Sequence, residues 1–255
     1  MNTYKANQDA FGQALYDHFR GHETSEVIER DDGRLDVGAP TAVYFGEFKR
    51  WPELLRRAVA LARGRILDIG CGAGRVALHL QQKGLDVVGV DISTLAIKVC
   101  RLRGLRKARA LSIADVTRKL GVFDTLLLLG NNFGLCGSCR QTQLLLRRFY
   151  GMTTARAQII AQTFDPYVGA SAHDRAYQRR NERRGRLGGQ IRMRVRYRMA
   201  ATPWFDYLFV SKAELARIVS DTGWRIARCI DGERSRYVAV LEKADCPTGA
   251  RVASG

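Results

Sequence analysis

The sequence lacks long apolar runs. None of its 255 residues lies in a stretch of about 18 uncharged apolar residues, the length that a membrane-spanning helix requires. The start of the chain, MNTYKANQDAFG, has no apolar core like that of a signal peptide. These absences argue against a helical membrane protein and against a secreted one. We therefore expect a cytoplasmic protein that has no membrane partner.

The few cysteines are not arranged as a disulfide framework or as a zinc site. A chain of this length with 46% apolar residues can bury a core without disulfides, which fits a reducing compartment. The stretch CGSC at 136–139 has the spacing of a redox motif, but no second pair of Cys or His completes a metal site. Two incidental thiols in a loop are the favoured interpretation, and no metal is predicted.

Positive charge, in contrast, is in excess. Lys and Arg outnumber Asp and Glu by 42 to 25, and residues 171–200 hold ten Arg against two acidic residues. Such a basic segment suits an acidic partner, for example nucleic acid or an anionic substrate. It also suits a solvated face in a protein that uses Arg heavily. The sequence alone leaves both interpretations open.

From residue 52 onward, apolar strands alternate with capped helices. The strands RILDI, DVVGVD, ARALSIAD, FDTLLLLG and AQIIAQTF follow one another with helical segments between most of them, an order typical of a parallel sheet that is covered on both faces. After a helix with the capping box Ser211 and Glu214, the runs WRIARCID and RYVAVLEKA are joined by a short turn and must pair antiparallel. The sequence predicts an α/β fold with seven strands, mostly parallel, with an antiparallel C-terminal strand.

Two segments lie outside this alternation. Residues 1–51 look like an N-terminal lid segment, with a helix around FGQALYDHF and a hairpin turn at Asp32-Gly33. Residues 165–210 form an insertion in which QIRMRVRYRM alternates apolar residues, through Met199, with Arg, which predicts a half-buried strand with a cationic outer face. The main domain is placed at 52–245, and residues 246–255 are expected to be a flexible tail.

The glycine-rich segment LDIGCGAGR indicates which nucleotide the loop holds. Dinucleotide binding requires G-x-G-x-x-G, whose third glycine lets the following helix pack closely. Here Gly70 and Gly72 are followed by Gly74 and then by Arg75 at that third place, and Asp68 precedes the loop. A carboxylate there disfavours a pyrophosphate and favours a donor that carries a sulfonium and an ammonium. A tight turn without a ligand is the alternative for this motif in isolation.

Two more carboxylates follow at predicted strand ends. Asp91 ends DVVGVD, 19 residues after Gly72, a position from which a carboxylate binds ribose hydroxyls. Asp115 ends ARALSIAD, where it could accept a hydrogen bond from an adenine amino group. Three carboxylates at one sheet edge favour the cationic donor.

In this order, LDIGCGAGR, VVGVDIS, IADV and FDTLLLLGNN, with the antiparallel C-terminal pair, resemble a class I methyltransferase that uses S-adenosylmethionine, over about residues 52–243. The stretches GNNFGL and TPWFDYLFVS also resemble bacterial and archaeal methyltransferases of unassigned substrate. The resemblance implies a Rossmann-like methyltransferase fold, S-adenosylmethionine as the cofactor and S-adenosylhomocysteine as the product.

The resemblance also implies a set of donor-binding residues. In that set Asp91 holds the ribose, Ile92 and Val116 flank the adenine, Asp115 reaches its amino group, and the glycines approach the methionine part and the ribose. The full set is Asp68, Gly70, Gly72, Gly74, Asp91, Ile92, Asp115, Val116, Gly130 and Asn131.

Aromatic residues are the candidates for an acceptor pocket. Clusters of this kind more often lie in a core, but their predicted position beside the carboxyl edge of the sheet favours pocket lining. The candidates are Tyr44, Phe45, Trp51, Phe133, Tyr167 and Trp204.

Four residues are candidates for the chemistry itself, namely Asn132, Asp165, His173 and Tyr207. His173 could take or relay a proton, and Tyr207 could orient the acceptor or stack on it. A lone His in an Arg-rich loop is more often solvated, and Asp165 could simply end the fifth strand.

The residues around Asn132 argue against two kinds of methyltransferase. The prolines that follow the Asn or Asp in amino methyltransferases acting on bases are absent, and an asparagine stands where metal-dependent phenol methyltransferases have a carboxylate.

The sequence thus predicts an S-adenosylmethionine-dependent methyltransferase that acts on a small molecule, with N, O or C as the acceptor atom. The alternative is an RNA or tRNA methyltransferase, or an RNA-binding module, that uses the Arg-rich insertion. An NAD-linked oxidoreductase is the third choice, disfavoured by Arg75 and by the antiparallel tail. A monomer or a homodimer is expected.

Overall fold

The structure, a computed structural model, describes residues 3–244. Within that range the α-helices are α1 (Ala10–Phe19), α2 (Glu53–Val59), α3 (Arg75–Gln82), α4 (Thr94–Leu102), α5 (Cys139–Tyr150), α6 (Ala172–Glu182) and α7 (Lys212–Val219). The strands are β1 (Val27–Arg30), β2 (Leu35–Val37), β3 (Arg65–Ile69), β4 (Asp86–Asp91), β5 (Ala108–Ala110), β6 (Phe123–Leu128), β7 (Thr153–Phe164), β8 (Gln190–Tyr197), β9 (Ala200–Ala201), β10 (Phe205–Leu208), β11 (Trp224–Asp231) and β12 (Arg236–Lys243). None of the helices so described is long and apolar enough to cross a bilayer. The predicted tail at 246–255 lies outside the described residues.

The larger sheet has the strand order β11-β12-β7-β6-β3-β4-β5. Strands β3 to β7 pair in parallel, whereas β12 pairs antiparallel with both of its neighbours. The prediction of a seven-stranded, mostly parallel sheet with an antiparallel C-terminal strand is confirmed. Since the carboxyl ends of β3, β4 and β6 lie side by side, the loops after these strands meet at one edge of the sheet.

Helices cover both faces of this sheet because neighbouring residues of its central strands point in opposite directions. Leu67 and Ile69 are buried in a hydrophobic cluster that also includes Leu145 of α5 and Leu215 of α7. Ile66, also in β3 but pointing to the other face, belongs to a second cluster with residues of α2, α3 and α4. Both cores are continuous and apolar, which makes the sheet a rigid platform for the loops at its edge.

A second, antiparallel sheet has the order β10-β8-β1-β2, with β9 paired to β8. It joins strands from residues 1–51 to strands from the insertion at 165–210, and Ile28 pairs with Val195 in its centre. The hairpin turn at Asp32-Gly33 and the strand at QIRMRVRY agree with the prediction. The predicted alternation, however, continues to Met199, whereas β8 ends at Tyr197. Arg198 has a φ of 49°, a turn conformation that ends β8, and Met199 is 98% exposed.

Helix α1 fixes the N-terminal segment to the larger domain. Asp9 caps α1 through Gly12 N (3.1 Å), and its other carboxylate oxygen accepts from Leu95 N (3.1 Å) at the start of α4. Leu15 of α1 packs in a small cluster with Val99 of α4. The two helices are therefore held both by a shared capping carboxylate and by apolar contact.

The third strand of the predicted order is shorter than expected. β5 covers Ala108–Ala110 and pairs with β4 alone among the described strands, and Ile113–Asp115 form a 3₁₀ turn instead of extending it. Ser112 accepts a hydrogen bond from Ala114 N and so stabilises this turn. Asp115 consequently lies one turn beyond the strand end on which its predicted role depended.

The five described cysteines are free. Cys136 is buried in the core, and burial raises the pKa of its thiol to about 12. A reactive redox thiol needs a lowered pKa and access to solvent. The structure thus agrees with two incidental thiols at 136–139.

Candidate functional site

A cavity of about 1060 Å³ lies between the carboxyl edge of the larger sheet and the inner face of the smaller one. Ligand sites of small-molecule enzymes occupy roughly 300 to 1,000 Å³. The glycine loop after β3 and the end of β4 line one part of it, and β1, β8 and β10 line another. The volume is sufficient for two ligands placed next to each other.

The loop after β3 depends on glycine, for lack of space and a positive φ at Gly70 and for a positive φ at Gly72. Gly70 has a φ of 72°, and a Cβ on it would come within 2.4 Å of the Asn132 amide nitrogen. Gly72 has a φ of 53° and is open toward Phe11, whose ring would be 3.8 Å from such a Cβ. Both glycines line the cavity, whereas Gly74 lies behind them as the N-cap of α3, against Cys100. The predicted contact of Gly74 with the donor is therefore not supported by its position.

Asp91, the last residue of β4, presents a fixed carboxylate to the cavity. One oxygen accepts from Gly72 N (2.9 Å) and the other from Ser93 N (2.9 Å), so the backbone on either side holds the group in place. Burial raises the pKa of Asp91 to about 6, although these two donors oppose that rise. Ile92, the next residue, also lines the cavity.

Asp68 in β3 is a second buried carboxylate on the cavity wall. Burial and the neighbouring Asp91 raise the pKa of Asp68 to about 7, while Arg75 opposes that rise. Two carboxylates side by side in a dry site are costly unless a cation joins them. The arrangement is suited to a positively charged ligand.

At the end of β5 the cavity wall is built from residues 112–114. Asp115 follows in the 3₁₀ turn, outside that wall, and Val116 is fully buried in the core beneath it. At this end of the sheet Ser112, Ile113 and Ala114 border the cavity where Asp115 and Val116 were expected. The short β5 is the cause, since the chain leaves the sheet edge earlier than a longer strand would.

The loop after β6 contributes residues 129–132 to the cavity wall. Gly130 N donates to the side chain of Gln162 (2.9 Å), and Asn131 has a φ of 67° with a buried Oδ1 that has no hydrogen-bond partner among the described residues. Asn132 donates from Nδ2 to the carbonyls of Ile69 (3.1 Å) and Gly70 (2.8 Å). Asn132 therefore braces the glycine loop, and the catalytic role expected of it stays a prediction.

Tyr207 of β10 lines the cavity and is tied to the same loop. Its hydroxyl donates to the carbonyl of Asn131 (2.7 Å), and burial raises the pKa of the phenol well above its usual value. Its ring lies over Gly134, where a Cβ would come within 2.0 Å of a ring carbon. The predicted placement of Tyr207 beside the donor edge agrees with the structure, and at this site the phenol is neutral.

The structure divides the six predicted acceptor-site aromatics. Tyr44 and Trp204 line the cavity. The other four lie elsewhere: Phe133 in the core, Trp51 in the second core cluster against His79, Phe45 under Arg103, and Tyr167 on a separate small pocket where it donates to Glu214 (2.6 Å).

Two of the predicted catalytic residues lie outside the cavity. His173 is on the exposed side of α6, with its side chain 57% exposed and its Nε2 2.8 Å from Asp32. Asp165 accepts from Tyr167 N (3.0 Å) just after β7 and so shapes the turn that ends the strand. Their positions do not support a role in proton transfer. His173 contacts Asp32 of the β1–β2 hairpin, which is remote in sequence, so this contact is not readable from the residues around His173.

The cavity also contains residues that the sequence interpretation did not single out. Tyr4 and Phe11 come from the N-terminal segment, and Glu26 precedes β1 with 4% of its surface exposed. Met193 and Val195 come from the apolar face of β8. In the sequence, the alternation of apolar residues in β8 is the one feature that points to this part of the cavity wall. It predicts a buried face but does not show that the face borders a cavity.

Four of the ten arginines at 171–200, all of them in or next to β8, form ion pairs within the described residues. Arg194 and Arg196 both contact Glu29 on the face of the small sheet opposite to the cavity, and Arg198 contacts Asp17. These ion pairs join the insertion to the N-terminal segment. Within residues 3–244, no group of three or more His, Cys, Asp and Glu side chains is arranged to hold a metal ion.

A family model described as a methyltransferase domain matches residues 66–154. Among curated proteins, a ubiquinone biosynthesis O-methyltransferase from Bordetella avium is 34% identical over 73 residues, which is 26% of this chain and 30% of that protein. A second protein of that name, from Nitrosococcus oceani, is 31% identical over 80 residues. The chain spans about a third of the length of these curated relatives.

Among solved structures, a SAM-dependent methyltransferase from Bacteroides fragilis in complex with S-adenosyl-L-homocysteine is similar over nearly the whole chain. It is 28% identical with a TM-score of 0.81, and the match covers 95% of this chain and 98% of that one.

Proposed function

We propose that this chain, a class I S-adenosylmethionine-dependent methyltransferase by fold, family match and structural match, transfers a methyl group to a small molecule bound in the shared cavity. The predictions of the family, of the fold and of S-adenosylmethionine as the cofactor are confirmed by these comparisons. The identity of the acceptor and the roles of individual residues are our proposals.

The donor occupies the part of the cavity at the edge of the larger sheet. Asp91 accepts hydrogen bonds from the ribose hydroxyls, since its carboxylate is held by two backbone donors and faces the cavity. Asp68 and the Oδ1 of Asn131 face the positively charged methionine end, and Ile92 with the turn at 112–114 lines the adenine.

The acceptor occupies the part of the cavity under the small antiparallel sheet. The face of that sheet toward the cavity carries Ile28 of β1, Met193 and Val195 of β8, and Phe205 with Tyr207 of β10. The face is mostly apolar with polar groups at its ends, which is typical of a small-molecule site. We assign residues 1–51 and 165–210 jointly to the acceptor lid.

The observation that carries the proposal is the continuity of the two parts. Methyl transfer from a sulfonium is an in-line displacement, so the protein has to align the two reactants and to exclude water. Tyr207 serves both ends, because its ring lies under the acceptor sheet while its hydroxyl holds the Asn131 loop at the donor edge. S-adenosylmethionine supplies the activated methyl group when bound, and the chain supplies the alignment.

The curated relatives are named as O-methyltransferases of ubiquinone biosynthesis, which would make the acceptor atom an oxygen. Their similarity covers about a quarter of this chain. We therefore place the acceptor only in the class of small molecules. An RNA acceptor stays the alternative: Arg194, Arg196 and Arg198 of the insertion are engaged in ion pairs, whereas the arginines at 175–186 are in none of the ion pairs of the described residues.

Two measurements test the proposal. Isothermal titration calorimetry should detect binding of S-adenosylmethionine and S-adenosylhomocysteine but not of NADH. Incubation with methyl-labelled S-adenosylmethionine and a small-molecule extract, followed by mass spectrometry, should reveal a labelled product below about 1 kDa. Tight NADH binding without a response to either sulfur compound would refute the donor assignment. Label in tRNA but in no small molecule, when both are supplied, would refute the acceptor class.

A further inference from the structure

Glu26 is a buried carboxylate on the cavity wall whose charge has no counterpart. It is 4% exposed, its Oε2 has no hydrogen-bond partner within residues 3–244, and its Oε1 is only 3.4 Å from the Tyr44 hydroxyl. No Lys or Arg among the described residues forms an ion pair with it. A buried carboxylate without a cation or a full set of donors is costly, so such a group in a cavity points to a ligand that completes it.

The arginines on the cavity wall are engaged elsewhere. Arg30 pairs with Asp32 and Asp174, and Arg34 pairs with Asp36 and with the same Asp174. Arg75 and Arg148 donate to the backbone carbonyls of Val43 and Ala114. Since none of these arginines forms an ion pair with Glu26, a ligand is the available source of a cation for it.

The remaining unsatisfied atoms on the cavity wall are also oxygens. The buried side-chain atoms without a hydrogen-bond partner that line the cavity are Glu26 Oε2, Asn131 Oδ1 and Asp206 Oδ1, and the last of these lies 3.6 Å from Arg192. Within the described chain, the cavity thus offers buried acceptors and no buried, unused donor. A ligand that fits it has to bring N–H or O–H groups.

The chain holds Glu26 in place next to the donor edge. Gly38 N donates to the Glu26 carbonyl (2.8 Å), and a Cβ on Gly38 would come within 2.6 Å of the Glu26 carboxyl carbon, so the position depends on a glycine opposite. Tyr44 packs edge-on against Phe11 with 5.3 Å between ring centroids, and Phe11 in turn faces Gly72 of the donor loop. Two aromatic side chains, Tyr44 and Phe11, therefore connect Glu26 to the donor loop.

From these observations we infer that Glu26 binds a protonated amine of the methyl acceptor, so that the substrate class of this enzyme is a small, amine-bearing molecule. The inference rests on the proposed function, because it assumes that an acceptor occupies the cavity. Burial raises the pKa of Glu26, while hydrogen bonds from its own backbone and from Tyr44 oppose that rise. An ammonium ion in contact with the carboxylate would lower the pKa.

The test compares two probes of equal shape, benzylamine and benzyl alcohol, on the full chain saturated with S-adenosylhomocysteine. Calorimetry should give a preference of roughly 10- to 100-fold for benzylamine, the effect of one charge-assisted hydrogen bond in a buried site. In Glu26→Gln the preference should fall to less than about threefold. In Glu29→Gln, which alters a carboxylate on the opposite face of the same sheet, the preference should be retained.

Gly38→Ala provides a second variant that leaves the carboxylate intact but displaces it, and it should also lose the preference. Equal binding of the two probes to the wild-type protein, no binding of benzylamine, or an undiminished preference in Glu26→Gln would each overturn the inference. The wild-type comparison decides the matter even if a variant fails to fold. Because S-adenosylhomocysteine binding is measured first, its absence would count against the proposed function and not against Glu26.

Discussion

Replacing Asp91 with alanine should separate donor binding from folding. The ionised carboxylate is expected to accept two ribose hydrogen bonds, each stabilising by about 1.5 to 3 kcal/mol, part of which water recovers in the variant. The expected loss of S-adenosylhomocysteine affinity is about 2 to 4 kcal/mol, or roughly 30- to 900-fold in Kd.

The stability of Asp91→Ala should change little, because two effects oppose each other. Ionisation of a group whose pKa is raised to about 6 costs the folded state about 3 kcal/mol at pH 7, and alanine removes that cost. Against this, Gly72 N and Ser93 N lose their acceptor, at about 1 to 3 kcal/mol each before water enters. We expect Tm to stay within about 5 °C of the wild-type value.

The assay is calorimetry with S-adenosylhomocysteine, together with a thermal melt of each protein without ligand. Asp86→Ala is the matched control, since Asp86 begins the same strand at its opposite end, is exposed and pairs with Lys107 (2.6 Å). A Kd within threefold of the wild-type value in Asp91→Ala would show that β4 does not reach the ribose. Equal weakening in both variants would show a general effect of altering the strand.

Three further predictions concern pH and packing. Asp91 loses its proton only as pH rises through about 6, so S-adenosylhomocysteine affinity should fall by up to tenfold per pH unit below pH 6. Calorimetry across pH 5 to 8 measures this decline, which should be absent in Asp91→Asn. Any pH dependence that remains near pH 7 in that variant belongs to Asp68. Asp9→Ala removes the cap of α1 and its bond to α4, so urea unfolding should show a loss of about 2 kcal/mol, whereas the exposed Glu47→Ala should change stability by less than about 0.5 kcal/mol. Tyr207→Phe removes the hydroxyl that holds the loop after β6, so urea unfolding should show that the free energy of unfolding is lower by about 1 kcal/mol. The affinity for S-adenosylhomocysteine should stay within a few fold of the wild-type value. A tenfold loss of that affinity would place Tyr207 in the donor site instead.

The donor edge could be predicted from the sequence because its rules are local. A buried strand followed by glycines and a helix places Gly70 and Gly72 at the sheet edge, and the next strand of the same kind places Asp91 beside them. These features need only the period of the strands and the chemistry of a tight turn. The antiparallel end of the sheet followed in the same way from the short turn between β11 and β12.

The acceptor side could not be predicted in this way because it depends on contacts between distant segments. The pairing of β1 with β8 determines that Ile28 and Met193 face the cavity, and strand alternation does not reveal the partner of a strand or the register. In the sequence, nothing distinguishes Glu26 from an ordinary acidic residue before a strand, and His173 looks like a loop residue near the acceptor. Their true environments, a buried cavity wall and the exposed hairpin, exist only once the small sheet has formed.

The small sheet also has a consequence for the timing of biosynthesis. Glu29 and Arg194, which pair across its centre, are 165 residues apart. At about 5 to 20 residues per second, the ribosome needs roughly 8 to 33 s to supply the second strand after the first. During that interval the β1–β2 hairpin has an open edge and too few strands to be stable alone, so it is exposed to mispairing with other nascent chains. Chaperone dependence of this protein should therefore be concentrated in its first forty residues.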